Sequence, residues 1–118
     1  MTEVLSRHEF VAQVSFDKDG LVPAITQHYQ SGEVLMLGYM NKHTLELSLQ
    51  SGYCTYWSRS RGKVWKKGEE SGHTQRIVEA HIDCDGDTLL FKVDQIGPAC
   101  HTGAPTCFFR EARIEPKP

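Results

Sequence analysis

The sequence predicts an α+β fold dominated by antiparallel β-sheet, on three observations. Segments rich in aromatic and β-branched residues recur along the chain. The turns Ser31-Gly32, Arg61-Gly62 and Asp85-Gly86 join them in pairs, and a single stretch combines a helix cap with helix formers. With 118 residues, 39% hydrophobic and 24% charged, the chain reads as one domain, residues 1–118, able to bury its own core.

Residues 22–30 and 33–40 read as two strands joined at Ser31-Gly32. Asn41 is a good N-cap, and Leu45, Leu47 and Leu49 follow among helix formers up to a stop at Ser51-Gly52. One main helix is therefore expected, over about residues 41–51. Residues 53–58 are aromatic and β-branched, and Lys63–Lys66 is their short partner after Arg61-Gly62. Residues 77–84 and 88–96 form a longer pair turning at Asp85-Gly86. Residues 106–114 read as a last strand.

Net charge is −2, so no global field draws the chain to nucleic acid or a membrane. No apolar run approaches the ~20 residues that span a bilayer, and residues 1–10 lack the apolar core of a signal peptide. The expectation is a cytoplasmic protein. In a reducing compartment the four cysteines are expected to ligate metal or to be buried, rather than to pair as disulfides.

The densest chemistry is D-C-D-G-D at 83–87 followed by C-H-T-G-A-P-T-C at 100–107. Carboxylates suit hard cations such as magnesium, and thiolates suit zinc. The C-x₆-C spacing of Cys100 and Cys107 is not that of a zinc ribbon, and both flank turn residues. With Cys84 they would make a three-thiol site open to water; Cys54 or His101 as a fourth ligand would close it. The competing reading of Cys84 is core, continuing a face of Val78, Ala80 and Ile82. On an extended strand Asp83 and Asp85 point one way and Cys84 the other, which favours two sites, or sites completed by another subunit. An EF-hand is excluded because its sixth position is Thr88, not glycine, and its flanks are strands. The competing reading of Asp85-Gly86-Asp87 is a solvated hairpin turn.

From Trp57 to Lys67 a positive patch carries Arg59, Arg61, Lys63, Lys66, Lys67 and two tryptophans. Arginine contacts phosphate bidentately, tryptophan stacks on a base, and Ser58, Ser60, Ser71 and Gly72 add hydroxyls and permissive backbone. Single-stranded nucleic acid, a small phosphorylated nucleotide, or a solvated hairpin with lysines guarding an edge would each account for it.

Six segments together resemble the phosphoribosyl-AMP cyclohydrolase family, enzymes of histidine biosynthesis. They are L-V-P-A-I at 21–25, L-M-L-G-Y-M-N at 35–41, Y-W-S-R-S-R-G-K at 56–63, K-G-E-E-S-G-H at 67–73, D-C-D-G-D at 83–87 and A-C-H-T-G-A-P-T-C-F at 99–108. They span about residues 21–110. Gly38 stands where alanine is expected, and Lys66 and Glu70 where His and Thr are frequent. The chain stops soon after Arg110, so no fused pyrophosphohydrolase domain is expected.

The resemblance implies an intertwined homodimer in which Cys84, Cys100 and Cys107 bind zinc shared between subunits, with Asp83, Asp85 and Asp87 on magnesium. It implies hydrolysis of the N1–C6 bond of the adenine ring of phosphoribosyl-AMP, giving the phosphoribosylformimino-AICAR phosphate intermediate. Zinc deaminases acting at the same carbon move protons with an H-x-E glutamate, which this chain lacks. His101, beside Cys100, is the expected proton carrier, with His73 second. Trp57, Ser58, Arg59, Ser60, Arg61, Lys67, Ser71, Gly72 and Thr102 are the expected substrate contacts. The alternatives are a zinc-stabilised nucleic-acid-binding module, which would show a closed four-ligand site, and a metal-storage protein, which would not need the Arg/Trp patch.

Overall fold

A computed structural model of the protein describes residues 3–117. The elements are α1 (Arg7–Ala12), β1 (Val22–His28), β2 (Val34–Met40), α2 (Lys42–Ser51), β3 (Thr55–Ser58), β4 (Lys63–Lys66), β5 (Gln75–Ile82) and β6 (Leu89–Gln95). Four strands form one sheet in the order β2-β1-β6-β5, and β3 pairs with β4 as a separate ribbon. All neighbours are antiparallel except β1 and β6, which run parallel. The class is α+β with a mostly antiparallel sheet, as expected.

The two central strands explain themselves by period-two burial. Val22, Ala24 and Thr26 on β1, and Leu89, Phe91 and Val93 on β6, turn inward at 0% exposure while their neighbours are partly exposed. Leu35, Met40, Leu45 and Tyr56 complete the core. Each fully buried large apolar side chain contributes ~1.5–3 kcal/mol. Asn41 caps α2 through a reciprocal pair of bonds with Thr44, 2.8 and 3.0 Å. Gly52 ends it at φ +81°, a left-handed conformation that glycine adopts without Cβ strain.

Three expectations need correction. The helix over 41–51 is one of two. α1 is a six-residue helix whose capping box, Ser6 with Glu9, is an S-x-x-E signal present in the sequence, and it buries Phe10 and Val11. Residues 106–114 are not a strand. Thr106 and Cys107 bond the Val34 and Leu35 carbonyls of β2 at 2.7 Å each, but no ladder continues and Phe108, Phe109 and Ile114 are exposed. The expected strand over 77–84 starts earlier and ends at Ile82. A bulge between Ile77 and Glu79 leaves Val78 exposed, so the face that was to carry Cys84 inward is broken, and Cys84 is exposed.

Candidate active site

The segment 83–87 is a turn rather than an extended strand, which replaces the alternation argument with a tighter one. Asp83 Oδ1 accepts the Asp87 and Thr88 amides at 3.0 and 3.2 Å, curling the chain back on itself. The carboxylates of Asp83, Asp85 and Asp87 then lie with one oxygen each within 4.8 Å of one another. Hydrogen bonding to Asp85 and to Asp83, with their repulsion, holds the Asp87 carboxyl above the ordinary carboxylate range. Three exposed oxygens converging at this spacing fit a hard divalent cation, whose charge would relieve that repulsion.

The thiol loop lies beyond the other end of β6. It is closed at its base, the Ala99 amide bonding the Pro105 carbonyl and the Cys100 amide the Ala104 carbonyl, both at 3.2 Å. Inside it the Thr102 hydroxyl donates to Cys100 Sγ at 3.0 Å. That bond comes first among the causes holding the Cys100 thiol below its ordinary range; a bond with Cys107 and the Lys67 ammonium add to it. Burial, then Cys100 itself, pushes the Cys107 thiol up. The pair is therefore arranged for Cys100 to ionise first, and two soft donors facing each other fit zinc. Cys54 is different. It is fully buried, and burial pushes its thiol up to about 12, so it packs as a small hydrophobe.

The basic stretch forms the β3–β4 ribbon, with Arg59, Ser60 and Arg61 exposed at its tip. The Arg59 guanidinium lies 3.8 Å over the Tyr39 ring of β2. Leu37, Tyr39, Trp57, Ser58, Arg59 and Ser60 line a groove of about 520 Å³ there. Arg61 and Ser71 meet across a second groove of about 260 Å³, beside Trp65. Gly72 is exposed on the same loop and follows Ser71 directly. Lys67 is not on this surface: it is 8% exposed, and its ammonium donates to the Ala99 carbonyl at 2.5 Å.

Both histidines attach to the thiol loop region. His101 is exposed, next to Cys100. The His73 ring lies against Gly97 so closely that a Cβ there would come within 2.6 Å of it. The His73 amide bonds Ser71 Oγ, and its carbonyl accepts from Gln95. Gln95 belongs to a buried chain: Gln75 Nε2 donates to Thr26 Oγ1 and to Gln95 Oε1, and the Tyr56 hydroxyl donates to Gln75 Oε1. Tyr39, Gln75 and Gln95 had no local sequence signal, since each acts through a residue distant in the chain. Gly38 has a reason here: a Cβ would meet the Tyr56 ring at 2.7 Å.

Residues 36–109 match the family model described as Phosphoribosyl-AMP cyclohydrolase. The chain is 57% identical over 108 residues to the phosphoribosyl-AMP cyclohydrolase of Micrococcus luteus, covering 92% of this chain and 86% of that one. It is 56% identical over 103 residues to that of Acidiphilium cryptum, with 87% and 89% covered. A histidine biosynthesis bifunctional protein of Deinococcus radiodurans is 52% identical over 100 residues, which cover 85% of this chain and 46% of that one. With the model spanning more than half of its residues and these relatives most of its length, the chain belongs to the phosphoribosyl-AMP cyclohydrolase family of enzymes.

Proposed function

We propose that the protein hydrolyses the N1–C6 bond of the adenine ring of phosphoribosyl-AMP, as a zinc-dependent homodimer whose active sites are shared between subunits. The observation that carries this reading is the placement of the three thiols. Cys84 sits in the turn before β6 and Cys100 in the loop after it, and seven strand residues at ~3.3 Å each put about 20 Å between those ends. Among the described residues, the aspartates are the group of metal-ligating side chains gathered within one chain; the thiols are not. A second copy supplying Cys84 to the Cys100–Cys107 pair completes a three-thiol set. The exposed Val34 and Leu37, continued by Phe108 and Phe109, offer apolar surface beside the thiol loop for that copy.

Zinc, when bound by Cys84, Cys100 and Cys107, supplies a nucleophile active at neutral pH. In the reaction a C6–O bond forms and the N1–C6 bond breaks; the exocyclic nitrogen stays on C6 as a carboxamide, and N1 departs with a proton. His101 carries that proton from the attacking water to N1, and His73 is the second choice. Arg59 and Arg61 hold the phosphoribosyl arms, with Trp57, Ser58, Ser60, Ser71 and Gly72 shaping the grooves and Thr102 lining the thiol loop. Asp83, Asp85 and Asp87 hold magnesium and offset the phosphate charge. The chain acts in the cytoplasm; no helix of the described residues is long and apolar enough to cross a membrane.

The direct test is incubation with phosphoribosyl-AMP, with and without a chelator, following ring opening by absorbance. No turnover by protein loaded with zinc and magnesium rejects the reading. Subunit sharing has its own test. Cys84→Ala and Cys100→Ala chains, each inactive alone, are unfolded together and refolded. If the thiols come from two subunits, half of the dimers are mixed and each has one intact site, so about a quarter of wild-type activity returns. If they came from one chain, none returns.

A further inference from the structure

The basic stretch presents five cations, and Lys67 alone among them is buried. A buried ammonium is costly unless something nearby compensates it. The Lys67 ammonium bonds the carbonyl of Ala99, the residue directly before Cys100, so the thiol loop is the structure at hand to compensate it. Its fixed neighbours define the rest of its setting. Nζ donates to the Ala99 carbonyl at 2.5 Å and lies 5.2 Å over the Trp65 ring, and its own amide bonds the Cys54 carbonyl at 3.1 Å. Ala99 is 1% exposed and is the residue at which the thiol loop closes on Pro105. The side chain thus reaches from the end of β4 to the base of that loop, 32 residues away in sequence.

A phosphate contact needs an ammonium that can be reached, and this one is enclosed and engaged. A set of three thiolates around one zinc ion, by contrast, carries a net negative charge, and a fixed cation beside it lowers the cost of assembling it away from water. We infer that Lys67 is a positioning residue of the thiol site: it anchors the loop through the Ala99 carbonyl and neutralises charge at Cys100 and Cys107, instead of binding a substrate phosphate. This rests on the zinc reading above, and the test separates the two.

The purified dimer is loaded with zinc, and the rate of zinc loss to a chromogenic chelator is compared for wild type, Lys67→Met and Lys67→Arg. Lys67→Met should lose zinc about 10–100-fold faster, the range seen when a partner of a metal ligand is removed. Lys67→Arg, which keeps the charge, should recover most of the retention. KM for phosphoribosyl-AMP should stay within about twofold of wild type in both, because no substrate contact is removed. Wild-type zinc retention in Lys67→Met, with KM raised more than about tenfold, overturns the inference and makes Lys67 a phosphate contact. If wild type itself bound no zinc, the zinc reading would fail. The anchor would then be judged in metal-free protein by hydrogen exchange at the Ala99, Cys100 and Gly103 amides: faster exchange in Lys67→Met supports it, unchanged exchange rejects it. Should Lys67→Met not fold, Lys67→Gln, which keeps a donor for Ala99 without the charge, replaces it.

Discussion

The acidic turn at 83–87 and the thiol loop at 99–107 are both short, glycine-containing and rich in metal-ligating groups, yet they are built differently. The turn supplies its own ligands: five consecutive residues place three carboxylate oxygens within 4.8 Å, shaped by bonds to the Asp83 carboxylate from Asp87 and Thr88, with one bond from outside, the Ser15 amide on the Gly86 carbonyl at 2.7 Å. The loop closes on itself through the Ala99–Pro105 and Cys100–Ala104 bonds, but it is tied down from outside. Its base is held by Lys67, Cys107 is fixed by the β2 carbonyl of Leu35, and its proposed third ligand starts at the far end of β6. A self-contained site tolerates changes elsewhere; an assembled one depends on the sheet, the ribbon and, in our proposal, a second subunit.

The largest expected effect breaks the comparison most directly. Cys100→Ala should abolish zinc binding and lower kcat/KM by more than about 100-fold, the upper figure for losing only an outer partner of a ligand. Magnesium binding should hardly move, since the acidic turn is untouched, while the melting temperature should fall with the loss of the bound zinc and of a buried thiol. Asp87→Asn should do the reverse. Removing one charge from the turn should cost on the order of tenfold in magnesium affinity while zinc stays bound. Metal analysis and titration calorimetry read both. Loss of zinc in Asp87→Asn would mean that the two sites are coupled, and the contrast between them would fail.

That contrast also governs what the sequence could reveal. The acidic turn was legible as a ligand cluster, because its donors are adjacent; only its geometry was misjudged, since a strand pattern cannot show that the chain turns at Ile82. The strands were legible because β1 and β6 bury alternate residues, while β2 and β4 follow the glycine turns at Gly32 and Gly62. The bulge at Val78 was not, as it depends on pairing with β6. Lys67 looked like its exposed neighbours Lys63 and Lys66 because burial of one lysine in a basic run is decided by the tertiary fold. The strand expected over 106–114 failed for the same reason in reverse: its composition suits a strand, but the chain gives it no ladder to join.

A mid-sized effect sharpens the dependence of the thiol region on outside contacts. Gly97 has φ +68°, and an added Cβ would lie 2.6 Å from His73 Cδ2. Gly52, at φ +81°, has nothing within 4 Å. Alanine at either position meets left-handed strain of ~1–2 kcal/mol, which should lower the melting temperature by several degrees. Gly97→Ala alone should also lower kcat, by roughly tenfold, if His73, which it displaces, has the proton-carrying role proposed for it. Equal kinetics for the two variants would remove His73 from the reaction.

The smallest effect on activity concerns the thiols themselves, and their effect on stability has opposite signs at two cysteines. The Thr102 hydroxyl holds the Cys100 thiol below its ordinary range, so in metal-free protein Cys100 stabilises the fold above the ordinary thiol pKa, and that contribution fades as pH falls through its folded value. Thr102→Val should raise that value, shift the pH midpoint of Cys100 alkylation upward, and flatten the rise in stability on the approach to pH ~8.5. Cys54 acts oppositely. Its folded value of about 12 lies above the unfolded one, so from pH ~8.5 the unfolded chain ionises first, and stability falls by about 1.4 kcal/mol per pH unit until the folded thiol titrates. Cys54→Ala should remove that fall between pH 9 and 10, below the range where Tyr56 contributes. Alkylation mapped by mass spectrometry and chemical denaturation across pH read the two. An unchanged Cys100 midpoint in Thr102→Val would show that the low thiol is set by the Thr102 amide, Cys107 and Lys67 rather than by the Thr102 hydroxyl.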